Sequence, residues 1–293
     1  MRAIDIAVNL ADPVFAGIYR SKQVHPSDLR LVVARAQGLV VLGTSPNSAG
    51  CYSESVRALE LATRFSVYST AGCHPTRCNE FTDCQGGPDA YFAQLLQLIQ
   101  QDMASPSPRI VAIGECGLDY DRLHFCPANV QKRFFERQFA LAKITGLPLF
   151  LHNRASSNDF FDLIRAHRSD FSTGVVHSFD SPAKDMETAI GLGLYIGING
   201  CSMKTAEQIN VIAQIPLNRL LIETDAPWCD VRPTHASYQY LAGYNDPYTS
   251  VKKERFEMGK TVKGRNEPCN VQYTLVTQAN LAHSGTNSQD RQG

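Results

Sequence analysis

Eight short runs of aliphatic and β-branched residues recur along the 293-residue chain, and most are followed by a stretch with helical spacing. That alternation predicts repeated βα units and a parallel sheet. The runs are Ala3 to Asn9, Leu39 to Gly43, Val67 to Gly72, Ile110 to Gly114, Pro148 to His152, Gly174 to His177, Leu194 to Ile198 and Leu220 to Thr224. They are almost unbroken in apolar character, as strands covered on both faces are. Eight such units predict an α/β fold of the closed TIM (β/α)8 barrel type.

The best-marked helix spans Pro127 to Thr145, with a proline in its first turn and Gly146 just past its end. Within it Phe134, Phe135, Gln138 and Leu141 sort onto apolar and polar faces. Further helices are predicted over Tyr52 to Arg64, Asp89 to Met103, Ser156 to His167, Pro182 to Leu192 and Thr205 to Ala213, with a short one between Leu29 and Gln37. The stretch holding Ser105, Pro106, Ser107 and Pro108 reads as a turn feeding the fourth strand. No boundary interrupts the pattern, so a single domain over 1–283 is expected. An amphipathic segment from Glu267 to His283 precedes a polar, unpatterned end over 284–293, which reads as a disordered tail.

Composition narrows the class. Twenty-eight basic and 28 acidic side chains balance to a formal charge of zero, which excludes a globally basic nucleic-acid sleeve. With 43% hydrophobic residues the chain is too apolar to stay disordered, yet no apolar run approaches the ~18 residues of a membrane span. Nine scattered cysteines without a signal-like opening suggest an intracellular, reducing compartment rather than a disulfide framework. Cys73, Cys78 and Cys84 lie close together but lack the C-x2-C spacing of a zinc knuckle, and free thiols are the simpler reading.

The chemistry lies where the strands end. Strand one finishes at Asn9 and Asp12, strand three at His74, strand four at Glu115, strand five at His152, strand six at His177 and strand eight at Asp225. Strands two and seven end without an ionisable group, at Thr44 and Asn199. In a closed barrel these ends share one mouth, so Glu115, His152, His177 and Asp225 converge there. Imidazoles with carboxylates suit a divalent cation such as Zn2+, Mn2+ or Mg2+, and Glu115 is able to bridge two. Metal-assisted hydrolysis is therefore the expected reaction class. No G-x-S-x-G elbow, G-x-G-x-x-G or Walker loop follows a strand, which excludes serine-nucleophile chemistry and a nucleotide cofactor.

The blocks around these residues read IDIAVNL from Ile4, GCHP from Gly72, AIGECGLD from Ala112, LFLHNR from Leu149, VVHSF from Val175, IETDAP from Ile222 and RNEP from Arg265. Together and in this order they resemble the TatD family of metal-dependent deoxyribonucleases. The resemblance implies a TIM barrel of the metallo-dependent hydrolase type that hydrolyses DNA phosphodiester bonds. It implies Glu115, His152, His177 and Asp225 as ligands of one or two divalent ions, Mg2+ foremost and Mn2+ or Zn2+ as alternatives. Glu115 and Asp225 would be the catalytic pair, with Asp225 orienting and deprotonating the attacking water or holding a second ion. His74, Arg154 and Asn9 become candidate substrate contacts. DNA is the expected partner of a monomer with access to the nucleus and/or cytoplasm, and no membrane is involved.

The chain departs from the family pattern in three places. Ala7 and Asn9 stand where many members have an H-x-H pair, Asn153 stands where a Cys often follows the strand-five His, and the C-terminal closing region after Pro268 is short. Two alternatives share the same barrel: a small-molecule amidohydrolase, and a truncated scaffold with weak catalysis. Balanced charge is eased locally by Lys252, Lys253, Arg255, Lys260, Lys263 and Arg265 against Glu254 and Glu257. This segment follows strand eight and is expected to flank the mouth.

Overall fold

In the computed structural model, which describes residues 3–36, 38–42 and 51–289, eight parallel strands form one sheet in sequential order. They are β1 (Ala3–Val8), β2 (Gly38–Leu42), β3 (Tyr68–Ala71), β4 (Ile110–Asp119), β5 (Leu149–Arg154), β6 (Gly174–Val176), β7 (Tyr195–Ile198) and β8 (Leu220–Ile222). The sheet closes on itself: the Asn9 amide donates to the Ala226 carbonyl at 2.7 Å and the Asp225 amide to the Ala7 carbonyl at 2.9 Å. Asp5 of β1 reinforces the seam by accepting from the Thr224 amide and hydroxyl at 3.0 and 2.6 Å. Thr44, expected to end strand two, lies outside the described residues.

The helices wrap the barrel as α1 (Leu29–Arg35), α2 (Cys51–Phe65), α3 (Glu80–Asp83), α4 (Gly87–Met103), α5 (Ala128–Thr145), α6 (Ser157–Ala166), α7 (Ala183–Gly191), α8 (Ala206–Ile212) and α9 (Val271–Gln289). Their ends follow the expected signals. Gly146 takes the left-handed conformation just past α5, and Thr205 with Gln208 forms a capping box on α8. Between strands and helices lies the main core, where Ile113, Leu151, Ile196 and Ile198 meet Phe134, Phe135, Phe139 and Phe160. Each fully buried Phe contributes about 2–3 kcal/mol of transfer free energy. A smaller cluster of Ala7, Ala112, Phe150 and Val175, drawn from β1, β4, β5 and β6, forms another part of the core.

The C-terminal region differs from expectation. α9 lies against β1 and β8, where Thr274 donates to the Glu223 carbonyl at 3.4 Å, so the short closing region still places a helix across the seam. The helix also continues to Gln289, through residues 284–289 that composition assigned to a disordered tail. A helix already nucleated on packed turns adds further residues at one hydrogen bond each, and polarity alone does not stop it. Residues 290–293 lie outside the description.

Candidate metal centre

β4 runs five residues beyond the expected end at Gly114, and this extension organises the site. A register shift between Ile113 and Cys116 interrupts its pairing with β5, and Gly114 and Gly117 adopt φ of +149° and +146°. Only glycine fits: a Cβ at Gly117 would sit 1.9 Å from the His152 carbonyl oxygen. The bulge re-aims the part of β4 that carries two site carboxylates, Glu115 and Asp119. From outside the barrel α5 clamps the same region with two buried glutamines. Gln131 pairs with both backbone groups of Asp119, at 2.7 and 2.9 Å. Gln138 pairs with both backbone groups of Cys73, at 2.7 and 3.0 Å, which fixes the turn that presents His74.

One oxygen is the focus. Glu115 Oε1 lies 2.7 Å from His152 Nδ1, 2.7 Å from His177 Nε2 and 3.4 Å from His74 Nε2. Burial by itself would raise the Glu115 carboxyl, but the charge of His177, the neighbouring His74 and the hydrogen bonds from His152 and His177 hold it well below the usual carboxylate range. The same contacts reverse the effect of burial on the imidazoles. His177 is held well above the ordinary value by Glu115 and Glu223, and His152 is raised through its bonds to Asp119 and Glu115. For His74 burial wins and lowers it. The Thr76 amide donates to His74 Nδ1 at 3.2 Å, so this neutral ring keeps its proton on Nε2, facing Glu115.

A carboxylate oxygen and two imidazole nitrogens within 4.8 Å of one another make a donor set for a divalent cation. The residues fit such an ion: in its absence protons on His152 and His177 supply the positive charge that Glu115 requires. His74, Asp119 and His152 form a second group of the same extent. His152 serves the two groups with different nitrogens, and a neutral imidazole ligates through one. Its Nε2 meets Asp119 Oδ2 at 3.2 Å, which leaves Nδ1 for the Glu115 side. Asp119 is thus placed where it could position His152 from behind, as carboxylates behind metal-bound histidines do.

Asp225 stands apart from this cluster. Asn9 donates to its Oδ1 at 3.0 Å and Cys229 Sγ lies 3.4 Å from its Oδ2. Burial, with Glu223 and Glu115 nearby, outweighs the attraction of His177 and pushes its carboxyl up to about 7. All seven residues expected from sequence, Asn9, His74, Glu115, His152, Arg154, His177 and Asp225, line one cavity of about 310 Å³. Asp12 does not; it caps the turn after β1 by accepting from the Val14 amide at 2.9 Å.

A family model described as TatD related DNase matches residues 4–287. The chain belongs to the TatD-related DNase family. It is 45% identical over 275 residues to the Deoxyribonuclease Tat-D of Schizosaccharomyces pombe, covering 92% of this chain and 86% of that protein. To the 3'-5' ssDNA/RNA exonuclease TatD of Edwardsiella piscicida it is 35% identical over 243 residues, covering 78% and 82%. The crystal structure of an uncharacterized amidohydrolase from Saccharomyces cerevisiae superposes with a TM-score of 0.87 at 32% identity, covering 97% of this chain and 95% of that one. The TatD-type barrel is therefore the fold of this chain.

The structure adds residues that hydropathy and spacing did not single out. Arg122, Ser178, Cys201, Trp228 and Cys229 also line the cavity. Asp119 lay inside the AIGECGLD block, where two glycines break the apolar run and hide the continuation of the strand. Glu223, in IETDAP, is buried and accepts from the Ser178 amide and the Asn199 side chain at 2.7 and 2.9 Å. The basic segment behaves differently from expectation. None of residues 251–265 lines the cavity, whose positive side chains are Arg122 and Arg154. Arg265 is buried and bidentate on Asp28 at 2.8 and 2.6 Å, with Glu267 at 2.8 Å. Every described cysteine is a free thiol, Cys73, Cys78 and Cys84 among them.

Proposed function

We propose that the chain is a divalent-metal-dependent deoxyribonuclease that hydrolyses DNA phosphodiester bonds with activated water. The observation that carries this reading is the convergence of His152 Nδ1 and His177 Nε2 on Glu115 Oε1 at the strand-end mouth, with Asp225 across the same cavity. Membership of a family whose curated relatives are named as deoxyribonucleases supports phosphodiesters over amides as substrate.

Glu115, His152 and His177 would hold the cation, and the ion when bound supplies Lewis acidity to water and to a phosphoryl oxygen. Two imidazoles beside one carboxylate favour Zn2+ or Mn2+ over Mg2+, which takes oxygen ligands. Asp225 orients water through one carboxylate oxygen and accepts its proton, while Asn9 holds the other oxygen. The Arg154 guanidinium faces the cavity as a donor to phosphate oxygens, steadied by Asp180 at 3.0 Å, while His74, its Nε2 proton turned to Glu115, borders the place where that phosphate sits.

The test is release of nucleotides from labelled single-stranded DNA by purified protein with Mn2+, Mg2+ or Zn2+, alongside elemental analysis of the protein as isolated. Glu115→Ala should lower the rate at least a hundredfold and lose the bound metal. Equal background rates for wild type and Glu115→Ala would end the reading. Metal binding with turnover of a neutral small amide alone would favour the amidohydrolase alternative.

A further inference from the structure

We propose that Trp228 is the stacking platform for an unpaired nucleobase next to the scissile phosphate, and so selects substrates whose base is free of a duplex. This rests on the nuclease reading of the same mouth. Trp228 is the chain's sole tryptophan. It lines the same cavity as the Glu115 cluster and is 46% exposed, so part of the indole is open to a ligand that enters the mouth. Arg122 and Arg154, which line the same cavity, offer charge that suits a phosphate, whereas the indole offers a plane that suits a base.

The platform is rigid. The Trp228 amide donates to the Asp225 carbonyl at 3.0 Å, and the Asn266 amide donates to the preceding Pro227 carbonyl at 3.0 Å. Beyond it, the Cys229 carbonyl presses so closely on Gly200 that a Cβ there would come within 2.1 Å. Little ordering of the backbone remains when a base arrives, which is what makes an aromatic contact effective. At about 310 Å³ the cavity has room for a single nucleotide but not for a base pair with both its sugars.

Because there is one tryptophan, its fluorescence reports on the platform without reference to turnover. Wild-type protein is mixed by stopped flow with a thymidylate hexamer or with an abasic deoxyribose-phosphate hexamer of equal charge, and anisotropy of labelled DNA reads binding in parallel. The intact hexamer should quench the indole and the abasic one should not. Trp228→Ala should weaken binding of the intact hexamer by roughly 5- to 100-fold, Trp228→Phe should restore most of it, and Trp228→Ala should not further weaken the abasic hexamer. Binding without quenching, or equal loss on both hexamers, would overturn the stacking role. Quenching in a wild-type protein that cleaves no DNA with any of the three metals would instead sink the nuclease reading and leave a binding site for unpaired bases. Absence of binding by either oligomer would overturn both.

Discussion

Asp225 holds its proton until about pH 7 in the metal-free protein, well above the ~3.9 of an unfolded aspartate. A carboxyl that binds its proton more tightly when folded costs native stability as pH rises from about 4 to about 7, and the cost is constant above that. Asp225→Asn has no proton to lose. In thermal melts with EDTA the variant should gain on wild type by a few degrees between pH 5.5 and pH 8, at ~2–4 °C per kcal/mol for a domain of this size. With saturating metal the gap should narrow, since a cation in the same cavity lowers the cost of the Asp225 charge. A gap that ignores pH would show that Asp225 is not held in this environment. At the same scale, Glu115, His152, His177 and Asp225 were legible in the sequence as neighbours in one cavity because strand ends in a barrel share a mouth. Asp119 was not, because a carboxylate inside a glycine-broken run looks like a turn.

At the scale of elements, α5 does more than cover the barrel. Its apolar stripe is readable from Phe134, Phe135 and Leu141, but Gln131 and Gln138 look like solvent-facing positions and are fully buried. Periodicity reports which side of a helix is apolar and is silent on a polar side chain whose partner is the backbone of another element. Gln138→Leu removes both hydrogen bonds to the Cys73 backbone and should cost about 1–3 kcal/mol in urea denaturation. Because the clamp supports His74 and not the cation ligands, nuclease kcat should fall while metal affinity by calorimetry is retained. Loss of both in equal measure would mean that the clamp sets the whole mouth.

The molecule as a whole is tied by a buried quartet of charges. Arg265 bridges Asp28 and Glu267, and Arg35 meets Glu267 at 2.8 Å. Counting charge along 251–265 could not reveal this, since burial and pairing are decided by residues more than two hundred positions away. Arg265→Ala leaves Arg35 as the one guanidinium between two buried carboxylates and should cost about 3–5 kcal/mol by chemical denaturation, with the salt dependence of DNA binding unchanged. A shallower salt slope in a variant of normal stability would return Arg265 to the substrate surface. Barrel closure, by contrast, was legible from eight strand signals, and the seam where β1 meets β8 shows what closure brings together. Asn9 comes from the first strand and Asp225 follows the last, so this half of the mouth does not exist until the two ends of the barrel have met. During synthesis the first strand must wait with an open edge for a neighbour translated more than two hundred residues later. Until that pairing forms, a nascent chain can assemble the Glu115, His152 and His177 cluster but cannot set Asp225 opposite it, which delays nuclease activity until the barrel has closed.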